Sequence, residues 1–317
     1  MNDSGQNLAQ TGDIRLVSIA MLTFRRTDEL RRAVESVVAM AAPGPASRWQ
    51  LHEIVIIDNN PDGLARPVVE RLQAAHDEPI RYVHEGAAGI VAGRNRALDE
   101  VSGDVLVFID DDEIALPGWP DGLMDIMTKT GAAMVGGPVL FDFVETPPQW
   151  VLDSGMFARP DHQDGAELHW LRSGNVAIDL VKIRAAGLRF DPRFPHGEDA
   201  TFSMQAADQG LSLRWSTSAS VKEYVSPDRT TIEWRRNRER ISTDAWVRAE
   251  LDIDPSLQRK LTVAARSAFR SVQGLFQTAL GAATRREATR NSGLARLSQG
   301  RGALDGLTTH LRTSRRG

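Results

Sequence analysis

The chain of 317 residues contains no cysteine. Disulfides and thiolate metal centres are excluded, so any metal is held by oxygen or imidazole. Long apolar runs are missing too. The weakly polar stretch at 271–283 falls short of the ~18 residues that span a bilayer. The start, MNDSGQNLAQTGDIRL, carries no apolar export region, and residues 1–13 are expected to be a short flexible lead. No GxGxxG follows the first apolar segment, which leaves a dinucleotide-binding fold little support. No internal repeat is visible. These absences point to a cytoplasmic protein, soluble or peripheral on the inner face of the cell membrane.

Apolar residues make up 41% of the chain, enough for a sizeable core. The net charge of −4 hides an asymmetry: residues 256–317 hold twelve Lys/Arg against two Asp/Glu. An acidic body with a basic tail points to two jobs.

The first half alternates strand-like and helix-like segments. Residues 14–22, 53–57, 80–84 and 104–109 read as strands, with another near 132–139. Helices are expected from Thr27, with Leu30, Val34, Val37 and Val38 on one face, and at 64–75, 89–101 and near 117–129. This alternation implies an α/β fold with a mainly parallel sheet flanked by helices. Pro and Trp between 146 and 170 read as long loops, before a helix at 198–209 and a strand near 211–216. In such sheets the ligand lies beyond the carboxyl ends of the strands. Asp58 and the run Asp110-Asp111-Asp112-Glu113 both follow strands. Packed carboxylates repel unless a cation or solvent screens them. Mg²⁺ or Mn²⁺ takes one or two carboxylates plus diphosphate oxygens. The competing reading is a solvated acidic turn.

Six segments in order across roughly 17–200 carry a resemblance: VSIAMLTFR (Val17 to Arg25), Ile57-Asp58-Asn59-Asn60, GIVAGRNRAL (Gly89 to Leu98), the acidic run, Ser173 to Ile178, and Gly197-Glu198-Asp199. Together they resemble family 2 glycosyltransferases, which have the GT-A fold. KEYVSPDRTTIEWRRNR (Lys222 to Arg238) is similar to bacterial succinoglycan and exopolysaccharide glucosyltransferases.

The resemblance implies an inverting transferase moving a hexose from a nucleoside diphosphate sugar to an acceptor hydroxyl. UDP is the favoured nucleotide and a lipid-linked glycan the expected acceptor. Asp58 is the candidate for uracil N3–H, against a plain Asx-turn role. Thr23, Arg25 and Arg94 are donor-side candidates, against an ordinary surface charge for Arg25 and an ordering role on the acidic loop for Arg94, and Asn95 is expected to brace the nucleotide pocket. Asp110 is assigned to ribose, Asp112 to metal, and Asp111 to ribose or the metal's water; Glu113 is expected to be a helix-start or solvent-facing charge. Gly174 and Asn175 fall on the acceptor side. Asp199 is the candidate general base, with Glu198 beside it. The competing reading for both is a favourable charge at a helix start. Many members have a metal-binding His near Glu223; here Glu223 stands in, and the nearest upstream His is His196. Arg235, Arg236 and Arg238 are diphosphate candidates, or a solvated helix face. Trp150, Trp170, Trp215 and Trp234 are candidates for sugar stacking, or ordinary packing.

The expected layout is a catalytic domain over 14–250, with a nucleotide half at about 14–140 and an acceptor half at about 141–250, then a basic helical tail over 251–317. In the tail, Leu257, Leu261, Ala264, Ala268, Val272, Leu275 and Ala279 recur at helical steps, with Arg259, Arg266 and Arg270 off that stripe. The helix suits either an anionic membrane surface or packing on the catalytic domain or a second subunit, leaving a homo-oligomer open. Residues 284–317 are expected to be loosely ordered. Nothing in the acidic body supports nucleic-acid binding. Two other functions are weighed: a nucleotidyltransferase, which needs a Gly-rich basic triphosphate loop that Leu22 to Asp28 lacks, and a non-catalytic carbohydrate- or membrane-binding scaffold.

Overall fold

The computed structural model describes residues 14–313 apart from 41, 45, 46, 88 and 159–161. The expected lead at 1–13 lies outside the described residues. The first half runs β1 (Arg15–Thr23), α1 (Thr27–Met40), β2 (Trp49–Asp58), α2 (Arg66–Ala75), β3 (Ile80–His84), α3 (Ile90–Glu100), β4 (Val105–Ile109), β5 (Glu113–Ala115), α4 (Asp121–Thr130), β6 (Met134–Gly136) and β7 (Val139–Phe143). Then follow α5 (Gln149–Asp153), β8 (Glu167–Leu168), β9 (Asn175–Asp179), α6 (Leu180–Ala185), α7 (Glu198–Asp208), β10 (Leu213–Trp215) and β11 (Val221–Val225). Three long helices close the chain: α8 (Ile232–Ile253), α9 (Leu257–Ala283) and α10 (Glu287–Thr313).

The main sheet has eight strands in the order β3-β2-β1-β4-β9-β6-β10-β8. Strands β1 to β4 pair in parallel, and β9 enters antiparallel between β4 and β6. Alternate residues of β1 and β4 serve two separate cores. Val17, Ile19, Met21, Val105, Val107 and Ile109 pack on one face; Ala20, Leu106 and Phe108 pack on the other. Apolar side chains on both faces explain the unbroken hydrophobic runs of these strands. The strand expected near 132–139 is two pieces. At Gly137 a Cβ would collide with the Ala219 carbonyl oxygen, and Pro138 has no N–H to give a ladder. The chain therefore leaves the main sheet and starts a second one, β5-β11-β7.

The C-terminal region departs most from expectation. Residues 287–313 form a single helix rather than a loose tail. α10 packs along both α8 and α9. Its glycines permit this close approach. A Cβ on Gly293 would sit 2.5 Å from the Thr278 amide nitrogen, and one on Gly302 would strike the Arg240 carbonyl oxygen. α8 runs through the expected domain limit at 250 and joins this bundle to α7. α9 turns its small residues Ser267, Gly274 and Gly281 inward, while Leu257, Leu261, Val272 and Leu275 of the expected stripe are exposed. Among the described residues no helix is long and apolar enough to cross a membrane.

Candidate active site

The carboxyl ends of β1 and β4 open on a cleft of about 640 Å³. β4 delivers the acidic run, and the chain turns straight into β5. Register then pairs Glu113 of β5 with Glu223 of β11. Two carboxylates more than a hundred residues apart thus face one site.

Glu113 is buried, and its Oε2 accepts the Asp110 backbone N–H at 3.2 Å. The expected solvent-facing or helix-start role is wrong, because β5 carries this side chain inward. Burial, reinforced by Asp110 and Glu223, pushes its carboxyl well above the usual range. The Asp110 side chain is 45% exposed to the cleft, yet protein encloses the carboxyl on its other sides. Desolvation pushes it up to about 7, with Arg94 opposing and Asp112, Asp111 and Glu223 reinforcing. Burial likewise raises Asp111 to about 6, against Arg26 and the Thr23 hydroxyl. Asp111 Oδ2 is buried without a hydrogen-bond partner.

Two arginines offset this negative charge. Arg26 Nη1 donates to Asp111 at 3.0 Å and to Asp112 at 2.6 Å. The sequence points to Arg25 here, with a surface charge as the alternative. Arg25 has a left-handed backbone, φ 62°, its guanidinium lies 5.2 Å from the Phe24 ring centroid, and it does not line the cleft. The turn at Arg25 brings Arg26 to the acids. A basic pair after a buried strand was the available signal, but not which member faces in.

Arg94 is buried on α3 beside Phe108 and Phe190. Its Nε donates to Glu198 at 3.1 Å, and its Nη2 lies 3.7 Å from Asp110. One guanidinium so ties the acidic run to the Glu198-Asp199 pair, and its Nη1 remains buried without a partner. Asn95 exchanges two hydrogen bonds with the backbone of Phe190, whose ring packs on Arg94.

Asp199 lines the cleft in the first turn of α7. Its oxygens accept the Ala200 N–H at 2.7 Å and, weakly, the Ser173 N–H at 3.4 Å. Its neighbour Glu198 is buried and engaged by Arg94; burial raises its pKa against the Arg94 charge. Of this pair, Asp199 is the carboxylate without an ion-paired arginine among the described residues. Gly174 also lines the cleft, where a Cβ would stand 2.7 Å from Glu113 Oε1 and 3.0 Å from Asp110 Oδ2. Asn175 does not reach it. It accepts from Trp119 Nε1 at 2.8 Å and donates to the Pro138 and Ala219 carbonyls, so it joins the two sheets.

Asp58 is buried behind the cleft lining. Its oxygens accept from the Asn60 and Ala65 amides and from the Tyr82 hydroxyl. The Asx-turn role is therefore real, with three of about four lone-pair directions used. Burial and the Asp58 contact push the Tyr82 hydroxyl up to about 12.

Glu223 pairs with Arg229 at 2.6 Å. Arg238 lines the cleft, together with Arg172, His196, Trp170, Trp234 and Trp246; Arg172 and Trp246 were not foreseen. Arg235 instead lines a separate cavity beside α9 and α10, which corrects its diphosphate assignment. Trp150 is buried outside the cleft, and Trp215 packs on His162. Among the described residues no three His, Asp or Glu groups form a ready metal cage. The oxygen-rich cluster, with its raised carboxyls and an orphaned Asp111 oxygen, nonetheless has the chemistry a hard divalent cation needs.

Fold and cleft together define the class, a glycosyltransferase with the GT-A fold. The description "Glycosyl transferase family 2" fits residues 18–179, just over half of the chain. The chain is 33% identical over 229 residues to the succinoglycan biosynthesis protein ExoM of Rhizobium meliloti, covering 70% of this chain and 71% of that one. It is 28% identical over 127 residues to the GalNAc(5)-diNAcBac-PP-undecaprenol beta-1,3-glucosyltransferase of Campylobacter jejuni, covering 40% of this chain and 38% of that protein. Its fold matches the mannosyltransferase PcManGT of Pyrobaculum calidifontis, solved with GDP-Man and Mn²⁺, at a TM-score of 0.60 and 17% identity, over 94% of this chain and 88% of that one. The chain belongs to glycosyl transferase family 2.

Proposed function

We propose that this transferase moves a hexose, with inversion, from a UDP-sugar to a hydroxyl of a lipid-linked glycan in exopolysaccharide or glycolipid assembly. The observation that carries the reading is the Arg94 bridge, which ties Asp110 of the acidic run to Glu198, next to Asp199, at one cleft. The acceptor hydroxyl enters beside Asp199, whose carboxylate takes its proton as the oxygen bonds to the anomeric carbon. The bond from that carbon to the donor phosphate oxygen breaks, and its electron pair leaves with the nucleoside diphosphate. Arg94 and Arg238 hold phosphate oxygens. Asp110 and Asp111 orient ribose, and Thr23 braces Asp111. Asp112 is the leading metal ligand, with Glu113 and Glu223 as neighbouring oxygens. A divalent cation there, Mn²⁺ or Mg²⁺, supplies positive charge to the departing diphosphate. Using it requires Arg26 to release Asp112. Glu198 positions Arg94. Asp58 is buried with its oxygens engaged by the Asn60 and Ala65 amides and the Tyr82 hydroxyl, so the choice of UDP rests on the family resemblance rather than on this residue.

The lipid-linked acceptor is supported by the undecaprenol-linked substrate in the name of the Campylobacter relative, and by the outer face of α9. Every exposed position of α9 is uncharged, and the basic groups lie on its flanks. We assign this face to peripheral docking on the membrane. The test is a panel of UDP- and GDP-sugars with Mn²⁺, read as thermal stabilisation and release of nucleoside diphosphate. UDP-sugars should stabilise the protein only with metal. If no nucleotide sugar binds or turns over, the reading fails.

A further inference from the structure

A second cavity, of about 400 Å³, lies between the end of α5 and helices α8, α9 and α10. Three guanidiniums line it, those of Arg235, Arg270 and Arg296, and no acidic residue does. Arg235 is only 9% exposed. Its Nε and Nη1 are buried with no hydrogen-bond partner. Buried N–H groups left unpaired are costly, and a guanidinium stays protonated. Among the described residues, Arg296 donates to the neutral Gln273 at 2.7 Å and pairs with no acid. Glu239, whose charge acts on Arg235, accepts the Gln299 amide at 2.8 Å, and among the described residues no ion pair joins it to Arg235. Among the described residues no carboxylate pairs with these three cations, so their unpaired donors suit an anion from outside the chain, and planar guanidiniums suit phosphate oxygens.

The surroundings point to where that anion comes from. Gln273 follows Phe269 by four residues and precedes Phe276 by three, so all three share one side of α9. Phe269 is 63% exposed and Phe276 66%. The cavity thus borders the uncharged outer face of the helix. In a bilayer, phosphates lie just above the acyl chains.

We propose that this cavity binds a phosphate group, that of an anionic membrane lipid, while the outer face of α9 lies among the acyl chains. The lipid source rests on the membrane reading above; the phosphate site does not. Ser292 adds a hydroxyl to the lining, whereas the Ser154 hydroxyl donates to the Val151 carbonyl at 2.8 Å.

The full chain is tested without nucleotide sugar, so failure of the transferase reading leaves the result unaffected. One arm measures melting with inorganic phosphate or pyrophosphate. The other measures sedimentation with phosphatidylglycerol-containing or pure phosphatidylcholine vesicles. The Arg270→Gln/Arg296→Gln pair leaves buried Arg235 in place and is the main variant. The Arg285→Gln/Arg286→Gln pair removes equal charge from exposed positions outside the cavity. The wild type should prefer anionic vesicles, and the cavity pair should weaken that binding about fivefold per arginine, well beyond the control pair. Stabilisation by free pyrophosphate that the cavity pair abolishes, without vesicle preference, keeps the site and assigns it a soluble phosphate. If neither phosphate nor pyrophosphate stabilises the wild type and the two pairs lose vesicle binding equally, the site is refuted.

Discussion

Helix α8 contributes to two clusters of like charge, and they are built differently. On one side Arg238 joins a cleft crowded with carboxylates, into which the fold inserts its own cations, Arg26 and Arg94. On the other Arg235 joins a cavity of arginines to which the fold supplies no ion-paired acid. The acidic cleft is internally buffered and can exchange one cation for another. The basic cavity leaves donors unmet. On the functions proposed above, the difference is that between a site where charge moves during a reaction and one where charge is held for a ligand.

The sharpest break in this comparison is Asp199→Asn. Loss of a general base should lower kcat about 10²- to 10⁴-fold while donor binding is retained, as steady-state kinetics and nucleotide-sugar titration would show. Next is Arg94→Met. It strands buried Glu198 without its partner and should cost about 3–5 kcal/mol in urea unfolding. Arg94→Lys should recover only part, because one ammonium cannot reproduce the forked contact. Gly302→Ala should cost about 1–3 kcal/mol by forcing α10 away from α8; a loosely attached tail would melt unchanged.

The smallest effect concerns pH. Asp110 is raised from 3.8 to about 7, so the folded chain holds this proton more tightly than the unfolded one. Its penalty is absent below the unfolded pKa and grows as pH rises through the window to about 7. In melts of the metal-free protein, wild type should lose stability relative to Asp110→Asn between about pH 4 and 7, then run parallel above it.

The β1–β4 framework was legible because its strands are apolar on both faces and end in turn or acidic residues. The cleft was legible through Asp110, Asp112, Asp199 and Arg94, which follow from strand ends and ordered motifs. Three things were hidden. Glu113 changes from a surface charge to a buried one because β5 is only three residues long and pairs with a strand over a hundred residues away. Arg25 and Arg26 exchange roles through a single backbone angle. The glycines of α10 suggest looseness in one dimension, but in three they are notches for α8 and α9. The first and third depend on long-range contact, which local pattern does not encode; the second depends on a left-handed backbone at a non-glycine residue.

The central claim is that the acidic cleft holds a divalent cation together with a nucleoside diphosphate. Titrating Mn²⁺ into protein with UDP, and following the free-ion electron paramagnetic resonance signal, tests it most directly. The account predicts that wild type depletes the free signal only when UDP is present, and that Asp112→Asn does not. Equal depletion by both proteins, or depletion indifferent to UDP, would contradict it.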